Sequence, residues 1–253
     1  MKIRMFLKKI RDWFLRRLKL HDSIPISVLD IEKAEQIFYI QYLKPSMVVF
    51  DIGANIGELS LLFSRFVGQT GSVHSFEASP ETFIRLKTIV EQAECSNIQL
   101  NCLAVSDHVG VSKLFEYDRL HSGWTSLANR PLQQYGIDVK PIRVEEVNTI
   151  TVDAYCETHG VEKIDLLKID VEGAEYQVLR GAQRMLNEGR IDCCVFEFGN
   201  TTFDMGNHPE QIKSFLDKCG YKIRNIIPKI PIFPGGHSAG TAEFSIHVCT
   251  RIV

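Results

Sequence analysis

The sequence predicts an α/β fold with a mostly parallel, doubly wound sheet, and three strand-to-helix units support this fold class. The first unit is an apolar strand that ends at Asp51 and passes through a glycine turn into a helix. The second is a short strand that ends at Glu77, and the third is a strand over residues 166–169 followed by a helix over 176–186. Strands that alternate with helices in this way are typical of parallel sheets.

The turn after the first strand has the residue types of a ligand-binding corner. Gly53 and Gly57 bracket the turn, where a missing Cβ lets backbone and ligand come close. A dinucleotide site would present a helix N-terminus to a pyrophosphate, which the anionic Asp51 would repel. A carboxylate instead suits a ligand with a cationic amino acid portion. The pattern from Asp51 through Gly53 and Asn55 to Gly57 resembles motif I of S-adenosylmethionine-dependent methyltransferases, with a ligand-free glycine turn as the alternative.

The second unit adds an acid at the spacing of a nucleoside site. Glu77 follows Gly57 by 20 residues, and an acid at about this distance accepts hydrogen bonds from both ribose hydroxyls in nucleoside-binding α/β units. Ser79 is a candidate N-cap and Pro80 the first residue of the next helix, which is expected over 82–91. With two motifs, the resemblance to class I methyltransferases implies that S-adenosylmethionine binds to Asp51, Gly53, Asn55, Gly57 and Glu77.

A third strand is expected over residues 97–107, and it ends at Ser106 and Asp107. By its position this strand end should lie beside the adenine, where the Asp107 carboxylate could accept from the exocyclic amine. An acid in a plain turn before Gly110 is the alternative. Ser106 and Asp107 are therefore added to the cofactor-binding candidates.

Residues 110–150 interrupt the alternation of strands and helices. Half-buried strands are expected over 111–117 and 142–147, with a polar stretch between them that contains glycine and proline. We interpret this part as an insertion over the mouth of the sheet. Loops in such places often contact substrate, so His121, Trp124 and Ser126 are candidates, with a purely structural role as the alternative.

Three carboxylates follow the strand over 166–169, at Asp170, Glu172 and Glu175. Ligands of doubly wound sheets bind at the carboxyl ends of the strands, so these acids should face the same crevice as Asp51 and Glu77. One of them could accept the proton of an alcohol that is being methylated. Alternatively, the three bind a divalent cation that acidifies the alcohol, or they cap the following helix.

Three segments together resemble the FkbM-type methyltransferase family over about residues 45–200. They are the stretches 51–57, 76–81 and 165–175. The resemblance implies a Rossmann-like sheet of seven strands with a terminal antiparallel strand, and methyl transfer from S-adenosylmethionine to hydroxyls of sugars, polysaccharides or secondary metabolites. Ala78 departs from the proline that many relatives have. The rival hypotheses are a noncatalytic cofactor-binding or interaction module and, more weakly, a nicotinamide-dependent oxidoreductase, against which Asp51 and a missing third glycine speak.

Charge is unevenly distributed along the 253 residues. Eight of the 29 Lys and Arg residues but only one of the 31 Asp and Glu residues lie within residues 1–20, so the remaining body is acidic. An acidic body argues against a nucleic acid substrate, because phosphate binding needs a positive field. We therefore expect a small-molecule or glycan substrate that carries a hydroxyl.

Residues 1–20 are predicted to form a basic amphipathic helix, since apolar side chains recur at helical spacing with lysines and arginines between them. The helix either packs on the rest of the protein or contacts an anionic membrane surface peripherally. Residues 21–45 are expected to form a helical lead-in, with a helix over 28–43, that covers one side of the site. The resemblance implies that residues 46–253 form a methyltransferase domain, including the insertion over 110–150.

Two further features bear on location. The seven cysteines are odd in number and lack Cys-x-x-Cys spacing, which favours a reducing compartment and argues against a structural zinc site. Residues 1–20 lack the uncharged stretch of a signal peptide, and the sequence has no apolar run of membrane-spanning length. The expected location is therefore cytoplasmic, with possible contact at the inner face of a membrane.

Overall fold

The computed structural model describes residues 27–118 and 121–252, and it confirms the doubly wound sheet of seven strands. The strands are β1 (Val48–Ile52), β2 (Ser72–Phe76), β3 (Ile98–Asn101), β4 (Ala104–Val105), β5 (Gly110–Glu116), β6 (Arg143–Ile150), β7 (Ile164–Ile169), β8 (Ile191–Phe198), β9 (Tyr221–Asn225) and β10 (Ser245–Arg251). The main sheet has the order β3-β2-β1-β7-β8-β10-β9. Its neighbouring strands are parallel except β10, which runs antiparallel to both β8 and β9.

Helices connect the strands of this sheet. They are α1 (Val28–Tyr42), α2 (Glu58–Val67), α3 (Pro80–Gln92), α4 (Val152–His159), α5 (Glu175–Gly181), α6 (Gln183–Asn187), α7 (Thr201–Asp204) and α8 (Pro209–Lys218), with short 3-10 turns at Ser122–Trp124 and Leu132–Tyr135. The expected caps are present: the Ser79 hydroxyl accepts from the Thr82 N–H, and Pro80 begins α3. The basic helix predicted over residues 1–20 lies outside the described residues.

Each face of the sheet is covered by its own hydrophobic core. Phe50 and Leu167 pack with side chains of α4, α5, α6 and α8, whereas Val49, Leu166 and Val195 pack with side chains of α1 and α2. Side chains alternate between the faces of a strand, so the second row continues at alternate residues toward the carboxyl ends of the strands. On β1, β7 and β8 this row ends in charged residues: Asp51, Lys168 and Glu197. The charged side chains that follow these apolar rows therefore lie at the end of the sheet where ligands bind.

The lead-in helix is present as expected, as α1. Ser27 caps it, and Tyr39 is fully buried, with its ring edge against Phe63 of α2 at 4.8 Å between ring centroids. The Tyr39 hydroxyl donates to Glu35 over 2.6 Å. Burial raises the pKa of Glu35 to about 7, and Lys168 on β7 acts in the opposite direction. One face of α1 therefore brings an ionisable pair close to the charged end of the sheet.

The insertion forms a small sheet of its own, as its two expected strands suggest. β5 and β6 pair antiparallel, and β4 joins β6 in parallel, in the order β4-β6-β5. This pairing corrects the single strand expected over 97–107. β3 ends at Asn101 and stays in the main sheet, while Ala104 and Val105 leave it to pair with Thr149 and Ile150. The helix expected over 176–186 is likewise divided at Ala182 into α5 and α6.

Candidate active site

A cavity of about 210 Å³ lies at the carboxyl ends of β1, β2, β7 and β8. Its lining has three parts. Gly53 and Asn55 of the glycine turn and Glu77 lie at one side, three acids lie at another, and residues of the insertion form a roof. The edge beside β4 is apolar, with Leu103, Ala104 and Val105. The cavity therefore joins an apolar slot to a strongly acidic end.

The glycine turn holds three strands together at the edge of this cavity. Gly53 has φ +78, and a Cβ built on it would lie 1.7 Å from the carbonyl oxygen of Asp170. The N–H groups of Gly53 and Ala54 both donate to the carbonyl oxygen of Phe76, over 3.0 and 2.9 Å. Only glycine fits this position, because it combines left-handed backbone with direct backbone contact. The turn after β1 is thereby fixed against the ends of β2 and β7.

Glu77 is held rigidly where it faces the cavity. Its carboxylate accepts the backbone N–H groups of Asn55 and Ser79, each over 2.9 Å. Burial raises the pKa of Glu77 to about 7, although these two hydrogen bonds act to lower it. Gly53, Asn55 and Glu77 are the cofactor candidates that line the cavity, and cofactor binding by them stays a prediction.

Asp51 is not among the residues that line the cavity, and its expected contact with the cofactor stays a prediction. The side chain is fully buried. The Ser60 hydroxyl donates to Oδ2 over 2.6 Å, and Nζ of Lys168 lies 3.2 Å from Oδ1. Asp51 and Lys168 are direct neighbours across the β1–β7 pairing. The charge of the motif acid is therefore matched from within the protein.

The remaining cofactor candidates also lie outside the cavity lining. A Cβ on Gly57 would meet Leu86 of α3 at 2.5 Å, so this glycine serves helix packing. The Ser106 N–H donates to Ile150, because the chain has by then joined the small sheet. The Asp107 carboxylate lies 3.3 Å from Arg180 of α5.

Lys168 is the centre of the buried charges. Its Nζ donates to the carbonyl oxygen of Gly53 and lies close to carboxylate oxygens of Asp51 and Asp170, each at 3.2 Å. The side chain is only 4% exposed. Burial alone would lower the pKa of Lys168, but Asp170, Asp51 and Glu35 together raise it above its usual value. Lys168 therefore stays charged and links the ends of β1 and β7.

Three carboxylates, which we call the acid cluster, form the acidic end of the cavity: Asp170, Glu172 and Glu197. Their oxygens lie within 4.8 Å of one another, close enough to share a proton or one divalent cation. Arg130 Nη1 lies 3.4 Å from Glu172, and burial raises the pKa of Glu172 to about 8. The sequence reasoning missed Glu197, although an acid at the end of the strand next to β7 was the signal that could have found it.

Glu175, the third catalytic candidate, is buried beside the turn that carries Glu172 and is not among the residues that line the cavity. Its Oε1 accepts the backbone N–H groups of Val171 and Gly173, over 3.3 and 3.1 Å, and the side chain is 1% exposed. These bonds close the turn before α5, which begins after Ala174 without a side-chain cap. A catalytic role of Glu175 stays a prediction.

The insertion contacts the acid cluster at two points, both on Glu172. The Ser126 hydroxyl donates to the carbonyl oxygen of Glu172 over 2.7 Å, and Arg130 Nη1 lies 3.4 Å from the Glu172 carboxylate. Arg130 Nε also donates to Asp204 of α7 over 3.1 Å. Among the substrate-contact candidates, only Ser126 lines the cavity. Trp124 instead packs on His121, with ring centroids 4.5 Å apart. The roof of the cavity and the acid cluster are thus one connected unit.

Comparisons with known proteins show which protein family and which relatives the chain resembles. Residues 51–223 match the family model described as the methyltransferase FkbM domain. The chain is 34% identical to the 31-O-demethyl-FK506 methyltransferase FkbM of Streptomyces tacrolimicus, over 56% of this chain and 61% of that protein. It is 28% identical to methyltransferase 1 of Beauveria bassiana, over 69% and 72% of the two chains. It is 30% identical to the hexuronic acid methyltransferase AglP of Haloferax volcanii, over 55% of this chain and 51% of that protein.

We expect Gly53→Ala to destabilise the protein and to abolish binding of a nucleoside ligand, because the new Cβ would collide with Asp170. Gly160→Ala is the matched control: Gly160 also has left-handed φ, +66, but open space surrounds its Cβ position. Left-handed strain common to both variants costs about 1–2 kcal/mol, so the difference between their thermal unfolding measures the collision. Equal stability of the two variants would contradict this account of the turn.

Proposed function

Because the chain belongs to the FkbM methyltransferase family, we propose that it transfers the methyl group of S-adenosylmethionine to a hydroxyl oxygen of a sugar, polysaccharide or secondary metabolite. The observation that carries the proposal is the single cavity that joins Glu77 to the acid cluster. Such a reaction needs an acid that accepts hydrogen bonds from the ribose and a second acid that accepts the proton of the acceptor hydroxyl. Both kinds of acid are present in one crevice at the strand ends.

The cavity lining suggests how the cofactor binds. Glu77 would accept the ribose hydroxyls, and the apolar residues 103–105 would hold the adenine. Gly53 would lie beside the methionine portion, and the carboxylates of the acid cluster would attract the positive sulfonium. In this arrangement Asp51 contributes by holding Lys168, which in turn fixes Asp170 and Gly53.

Methyl transfer is an in-line displacement at carbon, so the acceptor oxygen must be held about 3 Å from the methyl group. The acid cluster lines the same cavity as Glu77, and there it can hydrogen-bond the hydroxyl and take its proton during attack. A divalent cation on the same carboxylates is the rival way to acidify the hydroxyl. We favour the route without metal because Lys168 and Arg130 already supply positive charge to Asp170 and Glu172.

The acceptor class follows from the relatives' names and from charge. Two of the relatives are named for their acceptors, 31-O-demethyl-FK506 and hexuronic acid. The chain spans less than two thirds of the length of both, so their acceptors enter here as a proposal. The acidic body disfavours nucleic acid. An enzyme is favoured over a noncatalytic binding module, because several partly protonated carboxylates around one cavity are typical of catalytic sites.

We expect the purified protein to form methyl ethers when it is given isotopically labelled S-adenosylmethionine and a panel of sugar and polyketide hydroxyls. Mass spectrometry of the products locates the methyl group on oxygen. A chelator should leave turnover unchanged, because no step depends on a metal. Methyl transfer to nitrogen, or cofactor binding with no transfer to any acceptor, would contradict the proposal, and loss of turnover with the chelator would restore the metal route.

We expect Glu77→Gln to weaken binding of S-adenosylhomocysteine about 10- to 100-fold, since hydrogen bonds from ribose to a charged acceptor contribute about 1.5–3 kcal/mol. The pKa of Glu77 is about 7 without ligand, and the ribose hydroxyls favour the ionised form. Affinity should therefore fall as the pH drops from 8 to 6, and the variant should lose most of this dependence. Calorimetry measures both, with the exposed Glu91→Gln as control; identical pH profiles of wild type and Glu77→Gln would refute the ribose contact.

We also propose peripheral attachment to an anionic membrane surface through residues 1–20. Eight basic residues in this stretch and the exposed apolar side chains of Val28 and Leu29 at the start of α1 support this. No helix in the described part of the chain is long and apolar enough to cross a bilayer.

Deletion of residues 1–20 should abolish cosedimentation with vesicles that contain phosphatidylserine, because it removes eight of the 29 Lys and Arg residues and leaves an acidic body. Vesicles of phosphatidylcholine alone serve as the control. If the shortened and full-length proteins sediment equally, residues 1–20 have another role, such as packing on the domain.

A further inference from the structure

We propose that Glu197 is the catalytic base: it loses a proton when the sulfonium cofactor binds and takes up the proton of the acceptor hydroxyl as the methyl group moves. This assignment rests on the proposed function and specifies which carboxylate performs its proton transfer. Three features of the structure carry it: the position of Glu197, the distribution of positive charge in the acid cluster, and the way the charge of the cofactor changes during the reaction.

Position is the first feature. Glu197 lies one residue before the end of β8, next to β7, and lines the cavity together with Asp170 and Glu172. Its carboxylate lies within 4.8 Å of both. A hydroxyl that hydrogen-bonds one acid of the cluster is therefore within reach of the others, directly or through a short shift. Glu197 contacts the space where the acceptor oxygen must lie.

Positive charge in the cluster is the second feature, and it is unequally shared. Asp170 has Lys168 at 3.2 Å, and Glu172 has Arg130 at 3.4 Å. Both cations are also committed to another acid, Lys168 to Asp51 and Arg130 to Asp204. Across residues 27–118 and 121–252, Glu197 has no cation within ion-pair distance and no hydrogen-bond donor. It is the carboxylate of the cluster whose negative charge is least compensated.

Without a paired cation, and with two carboxylates beside it, the neutral form of Glu197 is favoured over the ionised form. Burial first, and then the negative charges around it, raise the pKa of Glu197 well above its usual value. The negative charges that act on it are Asp170 and Glu172 after β7, Glu175 of α5 and Glu35 of α1, and the cations nearest to the acid cluster, Lys168 and Arg130, pair with Asp170 and Glu172 instead.

The third feature is the positive charge of the sulfonium. This charge arrives near Glu197 when the cofactor binds, and it disappears when the methyl group is transferred. A positive sulfur near the carboxylate favours its ionised form, so the proton leaves when S-adenosylmethionine binds. During the reaction the bond between sulfur and the methyl carbon breaks, and sulfur keeps the electron pair. The acceptor oxygen forms the new bond to carbon, and its proton passes to a Glu197 oxygen. A carboxylate and a sulfonium thus become a neutral acid and a neutral thioether together.

The test compares proton release on binding of two ligands that differ in this one charge. Calorimetry at pH 7.5 in two buffers of different ionisation enthalpy gives the number of protons released. S-adenosylmethionine should release up to about one proton more than S-adenosylhomocysteine, because only the first carries the sulfonium. Contributions from Glu77 and from the shared nucleoside and amino acid groups cancel between the ligands.

The variant Glu197→Gln should abolish the difference in proton release while it still binds S-adenosylhomocysteine, which shows that it has folded. With an acceptor from the panel, its kcat should fall by about 10²- to 10⁴-fold with little change in KM for the cofactor. Glu157→Gln, an exposed acid on α4, is the matched control and should behave as wild type.

Several results would overturn the assignment alone: no difference between the ligands in the wild type, a difference that persists in Glu197→Gln, or a difference lost in Glu172→Gln but kept in Glu197→Gln. Failure of either ligand to bind would instead overturn the proposed function, and with it this assignment. Binding with the expected proton release but without methyl transfer to any hydroxyl would leave Glu197 as the responsive group and refute its role as base.

Discussion

The ion pair network of Lys168 is the interaction on which the site depends. One buried ammonium joins the carbonyl of the glycine turn to the last acids of two neighbouring strands, so the end of β1 and the end of β7 are held in one geometry. Loss of one partner from a buried pair costs about 3–5 kcal/mol, because the other charge is left uncompensated. The same network holds the motif acid Asp51, which is fully buried, beside the turn that follows β1.

The crevice that this network supports is rich in negative charge, and a cationic ligand would reduce the repulsion among its carboxylates. Glu77, the acid cluster and Glu35 crowd around one lysine and one arginine, and several of their pKa values are raised by burial. A cofactor with a sulfonium matches such a field better than its neutral thioether product does. The charge that draws the cofactor in is consumed by the reaction, so the same electrostatics that favour binding also weaken retention of the product.

The sheet, the glycine turn and Glu77 could be predicted because each depends on local pattern: apolar runs, left-handed glycines, and an acid at a fixed distance. The surroundings of Asp51, Glu175, Ser106 and Asp107 could not be predicted, because they depend on contacts that only the folded chain forms. Lys168 forms an ion pair with Asp51, and the turn before α5 donates hydrogen bonds to Glu175. The pairing of β4 with β6 takes residues 106 and 107 away from the main sheet. Glu197 was overlooked since its strand reads as a buried apolar run, and only strand order brings it beside Asp170.

The insertion has a consequence for how acceptor preference can change among related enzymes. Ser126 holds the backbone of Glu172, and Arg130 bridges Glu172 to Asp204 on α7. Hydrogen bonds and ion pairs therefore join the insertion to the acid cluster and to α7, a helix about 70 residues further along the chain. An insertion exchanged between homologues would lose its ion pair with α7 unless α7 were exchanged as well. We therefore expect new acceptor preferences in this fold to evolve through paired changes in these two distant segments.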